Sequence, residues 1–316
     1  MTVTGTRLRL KWALLSAVDL LGFPLKLQGR KGEVQVICFH GICADTDPLI
    51  NGRFYQRAKF QKLLSEMQRH FHIINLDDFL ANRLSTEKLN VLITFDDGYR
   101  NNLTLALPVL EELQLPVTIF VTGRTDLPLW ADLLDVAAAY PSEAGEIMHR
   151  VMMIAGVKNP KVLKAWIPLQ PKAVVMEINQ KLSELPAPLL EKTRIFWQLV
   201  SDNDLRMLQQ HSLVSLANHG ANHLGLVPLS DEETALEIKE VRTRLTHAGS
   251  LYGSVFAYPY GQHDLNTVRR LNECGITHQF VSENGFAPGV TERMTVNPFI
   301  SVKNMLRIIQ KGTFYG

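Results

Sequence analysis

Apolar residues along this chain keep two rhythms. Short β-branched runs alternate with longer stretches in which leucines recur at helical spacing. The runs predict strands at Val34–Phe39, His72–Asn75, Val91–Phe95, Val117–Val121, Leu213–Ala217, Val255–Tyr258, Ile276–Val281 and Thr295–Ile300. The intervening pattern predicts helices over Lys59–Arg69, from Asp77 or Asp78, over Asn101–Leu113, Asp202–Gln210, Ser230 to about His247, Leu265–Cys274 and Val302–Gln310. Local chemistry agrees at several ends: Ser201 reads as an N-cap, Ser230 with Glu233 as a capping box, Gly275 as a C-cap, and Asn101 or Asn102 as a cap for the helix after Gly98. Strand and helix in regular alternation imply an α/β fold with a parallel sheet.

Two segments break the rhythm. Residues 125–200 are helical and rich in Met, Leu and Ala, with prolines at 141, 160, 168, 171, 186 and 188. They read as an insertion of short helices, its methionines core filler, with a lid over a cleft as the sharper alternative. Without it the chain is close to the ~250 residues of a (β/α) barrel. At the start, Leu10, Leu14, Val18 and Leu21 share one face of an amphipathic helix preceded by Arg7, Arg9 and Lys11. That extension, residues 1–32, is too short to span a bilayer and has no small-x-small cleavage site. It packs on the protein, or lies on a membrane surface with Trp12 at the interface.

The chain has 316 residues, is 46% hydrophobic and carries a net charge of +2. This is ample for a full core and, with charges well mixed, gives no sign of a nucleic-acid partner. Three cysteines, Cys38, Cys43 and Cys274, form no CxxC pair and no even framework, which favours a reducing compartment. The expected location is therefore cytoplasmic, with a membrane-surface association open through the N-terminal helix and secretion not excluded. Nothing in the sequence sets an oligomeric state.

Chemistry concentrates at strand ends. Val91–Phe95 runs into Asp96-Asp97-Gly98, two carboxylates at the exit of a buried strand that require a positive neighbour. By itself the pair reads equally as a turn with a cap. Leu213–Ala217 delivers His219 and His223, Val34–Phe39 delivers His40, and Val255–Tyr258 delivers Pro259-Tyr260-Gly261. Two imidazoles and a carboxylate suit zinc and its borderline neighbours. The same donors serve non-heme iron oxygenases, but an acid more than a hundred residues upstream, in a β-α-β unit, argues against that class.

TFDDG with the helix and strand after it resembles the first motif of the polysaccharide deacetylases, the NodB-homology or family-four carbohydrate esterases. NHGANH is similar to their second motif, H-(Ser/Thr)-x-x-H, and FAYPYG to their third. VICFHGI resembles the opening Y-H-x-I strand of the deacetylases of exported poly-N-acetylglucosamine. Trp130-Ala-Asp-Leu-Leu resembles a helix start in deacetylases encoded beside surface-polysaccharide genes. The resemblance covers roughly residues 34–123 and 200–300. It implies a distorted (β/α) barrel of the NodB type over 33–316, with the helical insertion inside it. It implies one divalent metal, zinc with cobalt or nickel as alternatives, held by Asp97, His219 and His223. Asp96 would be the general base and the Tyr260 backbone N–H an oxyanion donor. Pro259, Gly261 and Tyr99 would lie against the substrate. His40 would be the general acid, with His263 and His278 as alternatives. The implied reaction is hydrolysis of an acetamide on an N-acetylated amino sugar, in a polysaccharide or a lipid-linked glycan.

The sequence departs from the pattern in three places. Gly220 stands where the second motif has Ser or Thr. No Arg precedes FAYPYG to orient the base, leaving Arg244 or Arg293 as substitutes. The late Leu-x-His is absent. Competing expectations are a deformylase or cyclic-amide hydrolase of the same fold, or an inactive carbohydrate-binding protein. Retention of Asp96, Asp97, His219 and His223 speaks against the last.

Overall fold

Closure of a parallel sheet on itself places every strand's C-terminal end at one mouth. The computed structural model describes residues 27, 29–48, 50–123, 128–282 and 288–312. The amphipathic helix expected near the N-terminus lies outside them. In chain order the strands are β1 (Val34–Phe39), β2 (Ile42–Cys43), β3 (Tyr55–Gln56), β4 (His72–Ile74), β5 (Asn90–Phe95), β6 (Val117–Val121), β7 (Val214–Asn218), β8 (Tyr252–Ala257), β9 (His278–Ser282) and β10 (Val290–Thr295). The α-helices are α1 (Arg57–His70), α2 (Leu76–Leu80), α3 (Leu107–Leu113), α4 (Trp130–Ala139), α5 (Pro141–Ala155), α6 (Leu163–Trp166), α7 (Lys172–Leu182), α8 (Ala187–Lys192), α9 (Asp202–Gln209), α10 (Asp231–Ala248), α11 (Leu265–Glu273) and α12 (Val302–Lys311).

The main sheet runs β1-β10-β9-β8-β7-β6-β5 and closes by pairing β5 with β1, all parallel. β5 is shared along its length. β1 follows it from Asn90 to Phe95, while on its other edge β4 takes Asn90–Leu92 and β6 takes Thr94 and Phe95. The distorted barrel is thus a seven-stranded ring with β4 wedged beside β5.

The period-2 alternation of each strand decides what faces inward. On β1 and β5, Ile37, Phe39, Val91, Ile93 and Phe95 pack outward against α1, α3 and α12. Val36 and Leu92 face in with Phe120, Ala217, Val255, Ala257 and Phe280. Stacked and edge-on rings of Phe39, Phe95, Phe60 and Tyr55 fill the outer layer, each contact contributing about 1 kcal/mol beyond its burial. One step further along the inward rows of β1 and β5 come Cys38, Thr94 and Asp96, so the barrel interior turns polar towards its mouth.

Residues 130–196 form a set of short helices whose apolar faces share one core with Leu224, Leu226, Phe256, Tyr258 and Val281 of the barrel. Both ends of the set are tied to the loop after β5. Its first helix brings Asp132 beside Tyr99, and its exit runs along that loop, with Arg100 N–H donating to Gln198 O and Val200 N–H to Gly98 O. Among the described residues no helix is long and apolar enough to cross a membrane. All three cysteines are free.

Three local expectations change. The helix after Gly98 begins as a π-helical turn, Asn102–Ala106, before α3. Neither asparagine caps it: the Asn101 side chain accepts from Ile42 N–H, and Asn102 Nδ2 donates to His40 O. The last strand is Val290–Thr295, not Thr295–Ile300. Pro298 has no N–H for a ladder, and the observed strand carries Arg293 at an inward position where periodicity expects an apolar residue.

Candidate active site

Parallel closure brings the ends of β1, β5, β7 and β8 to a common point. Asp97 Oδ1 lies 3.0 Å from His223 Nε2 and 3.3 Å from His219 Nε2, and all three side chains are buried. The opposite ring nitrogens are engaged. His219 Nδ1 is 2.8 Å from Ala257 O, which can only accept, so Nδ1 carries the hydrogen. The Tyr260 hydroxyl donates to His223 O at 3.1 Å, which leaves it to accept from His223 Nδ1 at 2.8 Å. With neutral rings, both Nε2 atoms then present lone pairs to Asp97 Oδ1, itself buried without a hydrogen-bond partner. Three acceptors around one point repel each other until a cation sits between them, so this donor set fits a divalent metal. In the metal-free chain the same crowding moves protons. Burial opposes charging His219, but Asp96 and Asp97 outweigh it and its pKa is raised; at His223 burial prevails and the pKa is lowered.

Backbone strain marks the same residues. Asp97, His223 and Tyr260 all lie in the left-handed region, at φ 72°, 52° and 61°. Such angles cost a non-glycine residue about 1 kcal/mol or more, and collect where a side chain must be aimed. Gly220 has φ 76°, which accounts for glycine in place of the motif's Ser or Thr. The loop is held instead by buried Glu237, which accepts from Asn222 N–H and Asn222 Nδ2, both at 2.7 Å.

Asp96 stands beside this seat and is held differently. Arg293 Nη1 and Nη2 each donate to one of its oxygens at 2.7 Å, and Cys38 Sγ lies 3.2 Å from Oδ2. Burial pushes the Asp96 carboxyl up, but Arg293 outweighs it and holds the pKa at about 2. Burial also pushes the Cys38 thiol up, so it keeps its proton and donates to Asp96. Arg293 is buried, bonds to Thr94 and Ser282 as well, and lies over the Phe120 ring. Of the two arginines expected as substitutes, Arg293 is therefore the one that meets Asp96. Arg244 donates to Thr122 O, Val200 O and Asp202, well away from it.

His40, Cys38 and Asp96 bring their polar atoms within 4.8 Å of one another. Burial, then the nearby Arg53 charge, lowers the His40 pKa to about 4, so the ring is neutral at neutral pH. Its Nδ1 is buried with no partner. The two histidines expected as alternatives to His40 sit elsewhere. His278 opens β9, at the end of the barrel opposite the site, and His263 turns onto Gly261 O and the Tyr258 ring. Pro259 and Gly261 form the kinked turn that aims Tyr260. A Cβ at Gly261 would come within 2.3 Å of Ser282 O. Tyr99 corrects an expectation: it is fully buried, packed on Phe54, and its hydroxyl donates to Asp132 Oδ1 at 2.7 Å, so it supports the site from behind and does not face substrate.

Two residues had no separate signal in the sequence. Arg53 reaches in from the loop before β3, with Nη1 3.3 Å from Asp97 Oδ2 and Nη2 2.9 Å from Asp132 Oδ1. Asp132, two residues into the Trp130-Ala-Asp-Leu-Leu helix start, is buried, and burial outweighs Arg53 to raise its pKa to about 7. The same helix start packs Trp130 against Tyr260, the rings tilted by 31° and 5.4 Å between centroids.

Tyr260→Phe removes the hydroxyl that fixes the His223 ring. Partners of this kind are worth 10- to 100-fold in metal affinity, so about a tenfold weaker zinc affinity is expected, with little change in the far-ultraviolet spectrum. Titration against a chromophoric chelator measures it; an unchanged affinity would remove Tyr260 from the seat's support.

A family model described as polysaccharide deacetylase matches residues 83–152 and 178–278. No curated protein matches the chain. Solved structures with the same fold include the Streptococcus pyogenes deacetylase PplD in complex with acetate (15% identity, 88% of this chain and 98% of that one, TM-score 0.58). IcaB from Ammonifex degensii is similar at 18% identity over 90% and 98% of the two chains, TM-score 0.55. The BpsB deacetylase domain from Bordetella bronchiseptica is similar at 19% identity over 85% and 97%, TM-score 0.51.

Proposed function

The chain belongs to the polysaccharide deacetylase family and is an enzyme of that class, and on that premise we propose that it is a metal-dependent N-deacetylase of an N-acetylated amino-sugar glycan. The observation that carries this reading is the division of labour between adjacent acids. Asp97 turns one oxygen to two imidazole lone pairs, while Asp96 has both oxygens tied to Arg293. Asp97, His219 and His223 would hold the metal, zinc in the first instance. When bound, it would supply Lewis acidity and lower the pKa of a water to roughly 7.

The chain's own groups supply the rest. Asp96 is ionised at any working pH and cannot swing away from Arg293, so it is positioned to take the proton of an attacking water. The Tyr260 amide, lifted to the mouth by its left-handed turn, donates to the oxygen of the acetamide as charge develops there; one such donor is worth about 3 kcal/mol. His40 delivers a proton to the departing amine. Because it is neutral at neutral pH, that proton is gained during turnover, and Asp96 is the acid within reach.

The test is acetate release. Chelator-stripped protein should be inactive on chitooligosaccharides and poly-N-acetylglucosamine fragments, and one equivalent of zinc, cobalt or nickel should restore acetate release. Formate release from N-formylated sugars alone would move the assignment to a deformylase. Full activity without metal would end it.

A further inference from the structure

We propose that Asp132, carried by the first helix of the insertion, sets the affinity of the Asp97, His219 and His223 seat for its metal by keeping Arg53 from competing for Asp97. This rests on the metal seat proposed above. The hydrogen bonds of Asp132 go to Asn51, Arg53 and Tyr99, and Arg53 joins it to Asp97. The Arg53 guanidinium lies between two carboxylates, 3.3 Å from Asp97 Oδ2 and 2.9 Å from Asp132 Oδ1. Asn51 holds both members, its Oδ1 accepting from Arg53 Nε at 3.2 Å and its Nδ2 donating to Asp132 Oδ1 at 3.1 Å. Tyr99 completes the set, accepting from Arg53 Nη2 at 3.2 Å and donating to Asp132 at 2.7 Å.

A guanidinium beside a ligand carboxylate does two opposed things. It orients Asp97 so that Oδ1 alone faces the imidazoles, and it offers a positive charge in competition with the metal. Asp132 takes up that charge. Its three donors are all hydrogen-bonded to Oδ1, so the carboxylate is fixed where it draws Arg53 towards the insertion. The insertion is therefore part of the metal site's electrostatics, which a helical ornament on the barrel would not be. A purely structural anchor would behave differently: its loss would lower stability and leave the affinity of the folded protein for metal unchanged.

The experiment is a double-mutant cycle on the full chain, run above about pH 8 where Asp132 is ionised and read by zinc titration against a chromophoric chelator. Asp132→Asn keeps the shape and removes the charge, leaving Arg53 to Asp97 alone, so zinc affinity should fall 10- to 100-fold. In an Arg53→Met background the competitor is gone, and adding Asp132→Asn should change affinity by less than about twofold. Should Asp132→Asn be recovered unfolded, Asp132→Ser, with room for a water, makes the same measurement. Unchanged affinity in a folded Asp132 variant overturns the proposal while leaving the seat intact, as does an equal loss in both backgrounds. Failure of the wild-type chain to bind zinc overturns the seat itself and this inference with it.

Discussion

The Asp96→Asn protein should bind zinc as tightly as the wild type and release acetate at about one-thousandth of its rate. General-base catalysis by a positioned side chain contributes roughly 10²- to 10⁴-fold, and an amide cannot take a proton from water. The geometry separates this loss from damage to the metal seat. Asp97 turns Oδ1 to the two imidazoles, whereas both Asp96 oxygens face Arg293. The amide group would turn one N–H towards the guanidinium, so some loss of stability accompanies the loss of rate. Single-turnover acetate release and zinc titration on the same preparation decide the matter. Rate and affinity falling together would mean that Asp96 is itself a ligand; a rate within tenfold of the wild type would remove it as the base.

Arg293→Met should cost about 3–5 kcal/mol of stability, because it leaves a buried carboxylate without its partner. It should also change the pH dependence, with a sign that follows from the pKa shift. The Asp96 pKa is held down, from an ordinary 3.8 to about 2. A depressed carboxyl stabilises the fold above its unfolded value, and that contribution, ~2 kcal/mol, is lost as pH falls from near 3.8 through about 2. Without Arg293 the main opposition to burial is gone, only the weaker pull of His219 and His40 remains, and the pKa rises. An Asp96 limb, which in the wild type lies near pH 2, should then move up into the acid side of the kcat/KM profile, and stability should depend less on pH below 4. Arg293→Lys keeps one charge and loses the two-pronged grip, so it should recover most of the stability but only part of the rate. Chemical denaturation and a pH–rate profile measure both; a profile unmoved by Arg293→Met would mean that the clamp does not tune the base.

The strands and helices of the barrel were legible because they depend on local periodicity. Val34–Phe39 and Val117–Val121 are observed with the bounds expected of them, and the Ser201 and Ser230 caps are present. Asp96, Asp97, His219, His223 and Tyr260 could be placed at strand ends for the same reason. β10 was misplaced because its inward residue is an arginine. Hydrophobic pattern fails where a strand interior has been given to chemistry, and here it failed at the residue that holds Asp96. Tyr99 was misread because its neighbours in sequence are at the site while its own side chain is fully buried and bonded to Arg53 and Asp132.

The sequence by itself determined the alternation of strands and helices, the barrel they imply and the short-range motifs, since these are set by residue spacing and backbone preference. Only the tertiary structure decided which arginine meets Asp96, where the two hydrogens on Nδ1 go, and that Arg53 and Asp132 meet behind Asp97. Those pairings join residues from 37 to 197 positions apart. Each depends on burial that removes competing water and on the closure that brings distant strand ends together, and neither is encoded in any local stretch of the chain.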